Sequence, residues 1–105
     1  MALPAYGNRV SKLLTGREQA AMEQSIAADP ERHPTIPGTG GFRKARWGRH
    51  GSGKRGGVRL IYYFAVLPDS VYLADIYAKN ERENLSDAQK NSLKKIVDQI
   101  KRRGA

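Results

Sequence analysis

The stretch VRLIYYFAV, Val58–Val66, decides the fold of this chain. Its β-branched and aromatic residues are typical of a β-strand. Leu67–Ser70 (LPDS) has the composition of a turn, and Val71–Lys79 (VYLADIYAK) is expected to return as another strand. Upstream, Phe42–Gly48 is predicted to be a strand, and the glycine-rich basic segment Arg49–Gly57 is predicted to be the loop that follows it. Three successive strands with short connections predict an antiparallel meander.

Two capping boxes mark helices on either side of these strands. Thr15–Glu18 (TGRE) begins a helix predicted from about Gly16 to Ala28, and Pro30 stops it because proline cannot donate a backbone hydrogen bond. Ser86–Gln89 (SDAQ) begins a helix predicted to reach about Arg102. The apolar stripe of this second helix, expected to cover one face of the sheet, consists of Leu93, Ile96, Val97 and Ile100. These features predict one α+β domain over residues 1–105, with a helical N-terminal part, a small antiparallel sheet and a C-terminal helix.

Positive charge is concentrated on the strands and on the loop between them. The chain has a net charge of +9, and no Asp or Glu occurs between Glu31 and Asp69. Seven basic residues lie between Gly40 and Arg59: Arg43, Lys44, Arg46, Arg49, Lys54, Arg55 and Arg59. Like charges at this density repel one another unless a polyanion lies among them. The charge pattern therefore favours a surface that binds nucleic-acid phosphates.

Composition excludes several other classes of site. The chain has no Cys, which excludes disulfides and zinc–thiolate centres, and its two His residues are too few for a His-built metal site. We expect no metal and no cofactor. No apolar run approaches the roughly 20 residues of a membrane span, and the N-terminus lacks the pattern of a signal peptide. We therefore expect no membrane partner and a cytoplasmic location.

Aromatic residues alternate with the basic ones, as they do on surfaces that stack nucleic-acid bases. Strand alternation places Lys44 and Arg46 on one face and Arg43 and Trp47 on the other. Tyr77 shares a face with Lys79, and could belong either to the core or to the basic surface. The same two possibilities remain open for Trp47.

Three ordered motifs resemble the RelE/HigB superfamily of bacterial toxins, most closely its HigB-like branch. The motifs are GTGGFRKARW (Gly38–Trp47), GSGKRGGVRLIYYF (Gly51–Phe64) and IYAKNERENLS (Ile76–Ser86), and they lie within a span of about half of the chain. The resemblance implies a small microbial-ribonuclease-like fold with a twisted sheet of three or four strands. It also implies a ribosome-dependent endoribonuclease that cuts mRNA in the decoding site. The partner so implied is a cognate antitoxin, commonly of the helix-turn-helix type.

The resemblance also implies roles for individual residues. The family's basic pair on the first motif strand falls on Lys44 and Arg46, its strand arginine on Arg59, and the basic residue that ends its last strand on Lys79. Lys54 and Arg55 belong to the glycine-rich loop of the branch. Two features depart from the family. Leu85 occupies the position of a substrate-stacking tyrosine found in some relatives, and MALPAY, residues 1–6, is a poor version of the opening strand, so this strand is expected to be stunted or the gene start misassigned.

Such an enzyme needs neither histidine nor metal, because the 2′-OH of RNA can attack the adjacent phosphate. Arg46 and Arg59 suit stabilisation of the dianionic phosphorane, since a guanidinium donates a planar fork and stays charged. Lys54 or Lys79 could remove the 2′ proton, and the other lysine, or Tyr77, could protonate the leaving 5′ oxygen. The remaining candidates are expected to bind RNA: Arg43, Lys44, Trp47, Arg49 and Arg55.

Two other functions are compatible with part of this pattern. A non-catalytic RNA-binding or ribosome-associated protein would explain the charge and the aromatic residues, although not the ordered set of motifs. A degenerate toxin that survives as a DNA-binding or antitoxin-sequestering partner is disfavoured, because the basic residues at the family's positions are retained.

Overall fold

Two helices precede three strands, and a third helix follows them. The elements are α1 (Pro4–Leu13), α2 (Gly16–Ala28), β1 (Arg43–Arg49), β2 (Gly53–Ala65), β3 (Ser70–Ala78) and α3 (Asp87–Gly104). The structure is a computed structural model that describes residues 1–49, 53–66, 69–82 and 84–104, without the side chains of residues 49, 53–56 and 104. The predicted α+β fold is confirmed. Within the described segments, no helix combines the length and the apolar character that a bilayer crossing requires.

The first two helices begin where local chemistry favours a helix start. Pro4 is the first residue of α1, a position where its missing N–H is no loss. The predicted capping box opens α2: the Glu18 N–H donates to Thr15 Oγ1 at 3.1 Å, and the Thr15 N–H donates to Glu18 Oε1 at 2.8 Å. The helix ends at Ala28, as predicted from the proline that follows. Tyr6 and Met22 are among the buried residues through which the two helices reach the core.

The three strands form one antiparallel sheet in the order β1-β2-β3, which is the predicted meander. The bounds of β1 and β3 differ from prediction by one residue, whereas β2 begins at Gly53, well within the segment expected to be a basic loop. The ladder with β1 continues to the pair Arg49 and Gly53, so inter-strand hydrogen bonding outweighs the low strand preference of glycine. The predicted turn residues Leu67 and Pro68 lie outside the described residues.

The N-terminus contributes a stub of strand before α1 begins. Ala2 bridges to Leu73 of β3 in parallel. The Leu3 N–H donates to the Leu73 carbonyl, and the Leu73 N–H donates to the Met1 carbonyl, both at 2.8 Å. The expected stunting of the opening strand therefore takes the form of a single bridge at the free edge of β3.

A β-bulge in β3 decides which side chains reach each face of the sheet. Ile61 pairs with Asp75 but its neighbour Tyr62 pairs with Leu73, so Ala74 has no partner across the ladder. An inserted residue reverses the alternation of side chains beyond it. The bulge therefore brings Tyr77, and Lys79 beyond it, to the face that carries Arg59.

The sheet separates two apolar clusters. Tyr6, Val10, Met22 and Ile26 of the first two helices pack on the face that carries Leu60 and its alternating neighbours. Val97 of α3 packs on the opposite face, in a cluster with Phe42, Ile61, Ala74 and Tyr77. As its apolar stripe predicts, α3 therefore covers part of the sheet. The rest of this second face, at the end of the sheet where β2 begins, is lined by the basic side chains.

Candidate nucleic-acid interface

The basic residues on the α3 side of the sheet lie in a row across its three strands. Arg46 of β1 pairs with Arg59 of β2, and Arg59 pairs in turn with Tyr77 of β3. Lys44 lies two residues from Arg46 on the same face of β1. Lys79 follows β3, where its N–H donates to the Gly57 carbonyl at 3.1 Å, and it keeps the parity of Tyr77.

These residues line a cavity of about 250 Å³, which we call the cationic pocket. Its lining consists of Lys44, Arg46, Arg59, Lys79, Arg82 and Asn84. Among the described residues, the lining therefore contains five cationic side chains and one amide, and no carboxylate or imidazole. The structure thus brings together four of the residues singled out in the sequence. It adds Arg82 and Asn84, which sequence reasoning missed.

Arg59 lines the cationic pocket with little to neutralise it. The residue is only 9 % exposed, and among the described groups its Nη1 donates a single long hydrogen bond, 3.3 Å, to the carbonyl of Val58. No carboxylate of the described residues forms an ion pair with it. A buried charge without a partner is unfavourable. Arg59 is therefore in an environment that an anion would stabilise.

The position of Arg46 adds to this excess of charge. The Lys44 N–H donates outward to the carbonyl of Pro34 at 3.2 Å, so Lys44 and Arg46 belong to the non-hydrogen-bonded pairs of the β1–β2 ladder. Side chains approach most closely across such pairs, and like charges directly opposite each other are destabilising. Arg46 faces Arg59 in this arrangement. An anion bound between the two guanidinium groups would relieve their repulsion.

Arg82 is held in place by two neighbours on the α3 side of the sheet. Its Nη2 donates to Asp75 Oδ2 at 3.1 Å, and its guanidinium carbon lies 4.4 Å from the centroid of the Tyr77 ring. Asp75 also lies 3.9 Å from Nη1 of Arg9, and Arg9 in turn pairs with Glu81. Arg82 is also part of the lining of the cationic pocket. An ion pair and a stacking contact thus fix its position before any ligand binds.

Tyr77 belongs to the core. Its side chain is fully buried in the cluster beneath α3, and its hydroxyl finds no hydrogen-bond partner among the described groups. Burial raises the pKa of the Tyr77 hydroxyl, and the positive charges of Arg82 and Arg59 offset part of that increase. A buried hydroxyl with a raised pKa is poorly placed to protonate a leaving oxygen. The interpretation of Tyr77 as a core residue is therefore the one that the structure supports.

Arg43 and Trp47 do not contribute to the cationic pocket, because both lie on the opposite face of the sheet. Arg43 Nη1 donates to the carbonyls of Glu31 and His33, at 3.0 and 2.6 Å. Trp47 is partly buried and packs against the cluster beneath α1 and α2. The predicted RNA-binding role of these two residues is thus not supported by their position. Arg43 instead stabilises the segment that leads from α2 to β1, through these two hydrogen bonds.

For three other predicted site residues, the backbone is described but the side chain is not. The side chains of Arg49, Lys54 and Arg55 are among those that the structure does not describe. Leu85, at the position of the family's stacking tyrosine, is partly buried and packs against the cluster beneath α3.

The two missed residues follow Lys79 in the motif IYAKNERENLS, Ile76–Ser86. Strand alternation says nothing about them because β3 ends at Ala78, and the return of the chain toward α3 brings them to the pocket. Their presence in the third motif was the signal that could have found them.

No protein-family model matches the chain.

Proposed function

We propose that this chain is the toxin of a type II toxin–antitoxin system of the RelE/HigB kind. In this proposal it acts in the cytoplasm as a ribosome-dependent endoribonuclease. It cuts mRNA in the decoding site by attack of the RNA's own 2′-OH, and so inhibits translation. The single observation that carries the proposal is the cationic pocket, where a buried arginine, for which the described residues supply no counterion, lies among four other cations.

The arginines of the pocket suit the charge that develops during such a reaction. The phosphorane formed by 2′-OH attack carries two negative charges, and preorganised donors aimed at developing charge are an effective source of catalysis. Arg46 and Arg59 approach from neighbouring strands, and Arg82 from the chain that follows β3. A guanidinium can donate two parallel hydrogen bonds to phosphate oxygens. We assign these three residues to binding the scissile phosphate.

Proton transfer requires a different type of side chain. Arginine does not release its proton in proteins, and an amide is not an acid or a base at ordinary pH. Among the described residues of the pocket, the amines of Lys44 and Lys79 are therefore the groups that can transfer a proton. We assign one of the two transfers to Lys79, in keeping with its position in the resemblance, and Lys54 stays the candidate for the other. Lys44 is assigned to RNA binding.

The proposed antitoxin has to neutralise this surface. An inhibitory segment that covers the cationic pocket would need acidic side chains at its point of contact, because complementary charge favours association and excludes wrong partners. Asp and Glu side chains facing Arg46 and Arg59 would compete directly with RNA phosphates.

The test is cleavage of mRNA on translating ribosomes. The wild-type protein is added to a bacterial translation extract, and the 5′ ends of the mRNA fragments are mapped by primer extension. We expect cuts within codons that occupy the decoding site. Arg46→Ala should reduce cleavage at least about 100-fold, the typical effect of removing one group that stabilises transition-state charge. Arg17→Ala is the matched control, because Arg17 is exposed on α2, away from the pocket.

The outcomes separate the proposed enzyme from the alternative function. Intact mRNA with stalled ribosomes would indicate a non-catalytic RNA-binding or ribosome-associated protein. Equal cleavage by Arg46→Ala and wild type would remove the cationic pocket from the mechanism. Circular dichroism of both variants checks that neither change has altered the fold.

A further inference from the structure

The cationic pocket consists of two parts that are held in place in different ways. Lys44, Arg46 and Arg59 belong to β1 and β2, where the hydrogen bonds of the ladder fix the backbone. Arg82 comes from the chain beyond β3, which ends at Ala78, the last residue of that strand in the ladder. Its position therefore depends on the contacts of its own side chain and of its neighbours.

Electrostatic repulsion acts against this position of Arg82. Four other cations share the lining of the pocket, and no described residue of the lining carries a carboxylate. A cavity of about 250 Å³ is about as wide as the distance over which physiological salt screens charge, roughly 8 Å, so the cations repel one another. Without an opposing attraction, the guanidinium of Arg82 would move out into solvent. Its place in the pocket requires negative charge close behind it.

Two carboxylates, Asp75 and Glu81, supply this negative charge. Arg82 Nη2 donates to Asp75 Oδ2 at 3.1 Å, and the Ile76 N–H donates to Asp75 Oδ1 at 2.8 Å, which fixes this carboxylate on β3. Glu81 closes the turn directly before Arg82. Its N–H donates to the Ala78 carbonyl at 3.0 Å, and its Oε1 accepts a hydrogen bond of 3.4 Å from the Ala78 N–H. One carboxylate thus acts on Arg82 through space and the other along the chain.

Arg9 of α1 contacts both carboxylates from outside the cationic pocket. Its Nη2 pairs with Glu81 Oε2, and its Nη1 lies 3.9 Å from Asp75 Oδ1. The planar fork of a guanidinium suits such a bridge, because its nitrogens point in fixed directions. One ion pair at a surface contributes little to stability, whereas several linked charges are more effective. The linked charges run from α1 through the two carboxylates to Arg82 in the pocket.

We propose that Arg9 is a positioning residue of the cationic pocket, which acts through Glu81 and Asp75 to hold Arg82 in place for the scissile phosphate. This inference rests on the proposed function. Arg9 does not touch the substrate. It keeps the two carboxylates where they attract Arg82 against the repulsion of the other cations. A misplacement of about 1 Å, caused by a change far from the reacting atoms, can slow catalysis on the order of 100-fold.

The experiment measures kcat and KM for mRNA cleavage on translating ribosomes. Arg9→Met removes the charge but keeps a long side chain, and Glu81→Gln removes the charge that binds Arg9 but keeps an oxygen for the Ala78 N–H. We expect each variant to lower kcat about 10-fold and to change KM less than about two-fold, because the interaction lost is one made in the transition state. Lys12→Met is the matched control and should change neither constant. Lys12 is exposed on the same helix and forms no ion pair with a described carboxylate.

A double-mutant cycle determines whether Arg9 acts through Arg82. Arg82→Met alone should lower kcat about 100-fold. Adding Arg9→Met to Arg82→Met should change kcat less than about two-fold further, because the group that Arg9 positions is gone. A further loss as large as in the wild-type background would overturn the inference and leave the proposed function standing, as would a wild-type kcat in both Arg9→Met and Glu81→Gln. If the wild-type protein cuts no mRNA, the proposed function fails and this inference fails with it.

Discussion

Arg59 places a positive charge in the central strand of the sheet, where folding alone would favour an apolar side chain. It is nearly buried, faces Arg46 across the ladder and has no carboxylate partner among the described residues. We expect Arg59→Met to raise the free energy of unfolding by about 1 kcal/mol, because the change removes like-charge repulsion and a buried charge. The same change should abolish mRNA cleavage. Urea denaturation at low salt measures the first effect, and a loss of stability would show that Arg59 supports the fold.

Tyr77 is a second residue whose replacement should stabilise the fold, but this replacement should not affect cleavage. Its hydroxyl is buried and has no hydrogen-bond partner among the described groups. We expect Tyr77→Phe to raise the free energy of unfolding by about 1 kcal/mol and to leave cleavage unchanged. Burial raises the pKa of Tyr77 above its ordinary value of 10.0, so resistance of this hydroxyl to ionisation costs no stability below pH 10 and lowers the free energy of unfolding as the pH rises above 10 through the folded-state value. The decline in stability above pH 10 should therefore be shallower in Tyr77→Phe. Cleavage reduced by a large factor would return Tyr77 to the mechanism.

Individual residues were predictable from the sequence to the extent that strand alternation controls them. Alternation placed Lys44 and Arg46 on one face, and it also separated them from Arg43 and Trp47. It could not show that α3 covers Tyr77 while leaving Arg59 at the edge of a cavity, because that depends on where the helix packs.

Capping boxes provide a comparison at the scale of elements, because the chain has one at α2 and one at α3. Replacing the capping hydroxyl should cost about 1 kcal/mol in either helix. We expect Thr15→Ala and Ser86→Ala to lower the free energy of unfolding by similar amounts. Only Ser86→Ala should also weaken RNA binding, since Asn84 and Leu85 lie immediately before that cap. If Thr15→Ala and Ser86→Ala are equally destabilised and bind RNA with equal affinity, the start of α3 does not shape the binding surface.

The sequence predicted the elements more accurately than it predicted their junctions. The capping boxes predicted the starts of α2 and α3, and the proline after α2 predicted where that helix ends, because those signals are local. The early start of β2 depends on pairing with β1, and the extra residue at Ala74 depends on how β3 meets β2. Neither is encoded in a local pattern. Without the bulge, Lys79 would point toward α1 and α2.

Salt dependence tests the cationic pocket at the scale of the whole molecule. Each phosphate that a cation neutralises on a single strand contributes a slope of about −0.7 to the plot of log affinity against log salt concentration. We expect Arg46→Ala and Lys79→Ala each to make this slope shallower by about 0.7. Arg17→Ala should leave the slope unchanged, because the side chain of Arg17 is exposed on α2, which packs on the opposite face of the sheet. A slope that Arg46→Ala does not alter would mean that RNA phosphates bind elsewhere.

The position of the sheet between the two apolar clusters has a consequence for how this protein can change over time. Tyr6, Met22 and Ile26 consolidate the layer beneath one face, whereas the cationic pocket opens on the other. Mutations that raise the thermal stability of the layer formed by α1 and α2 can accumulate without disturbing the face that carries the cationic pocket. A lineage, or a directed-evolution experiment, can therefore adjust thermal endurance and substrate choice as two separate traits.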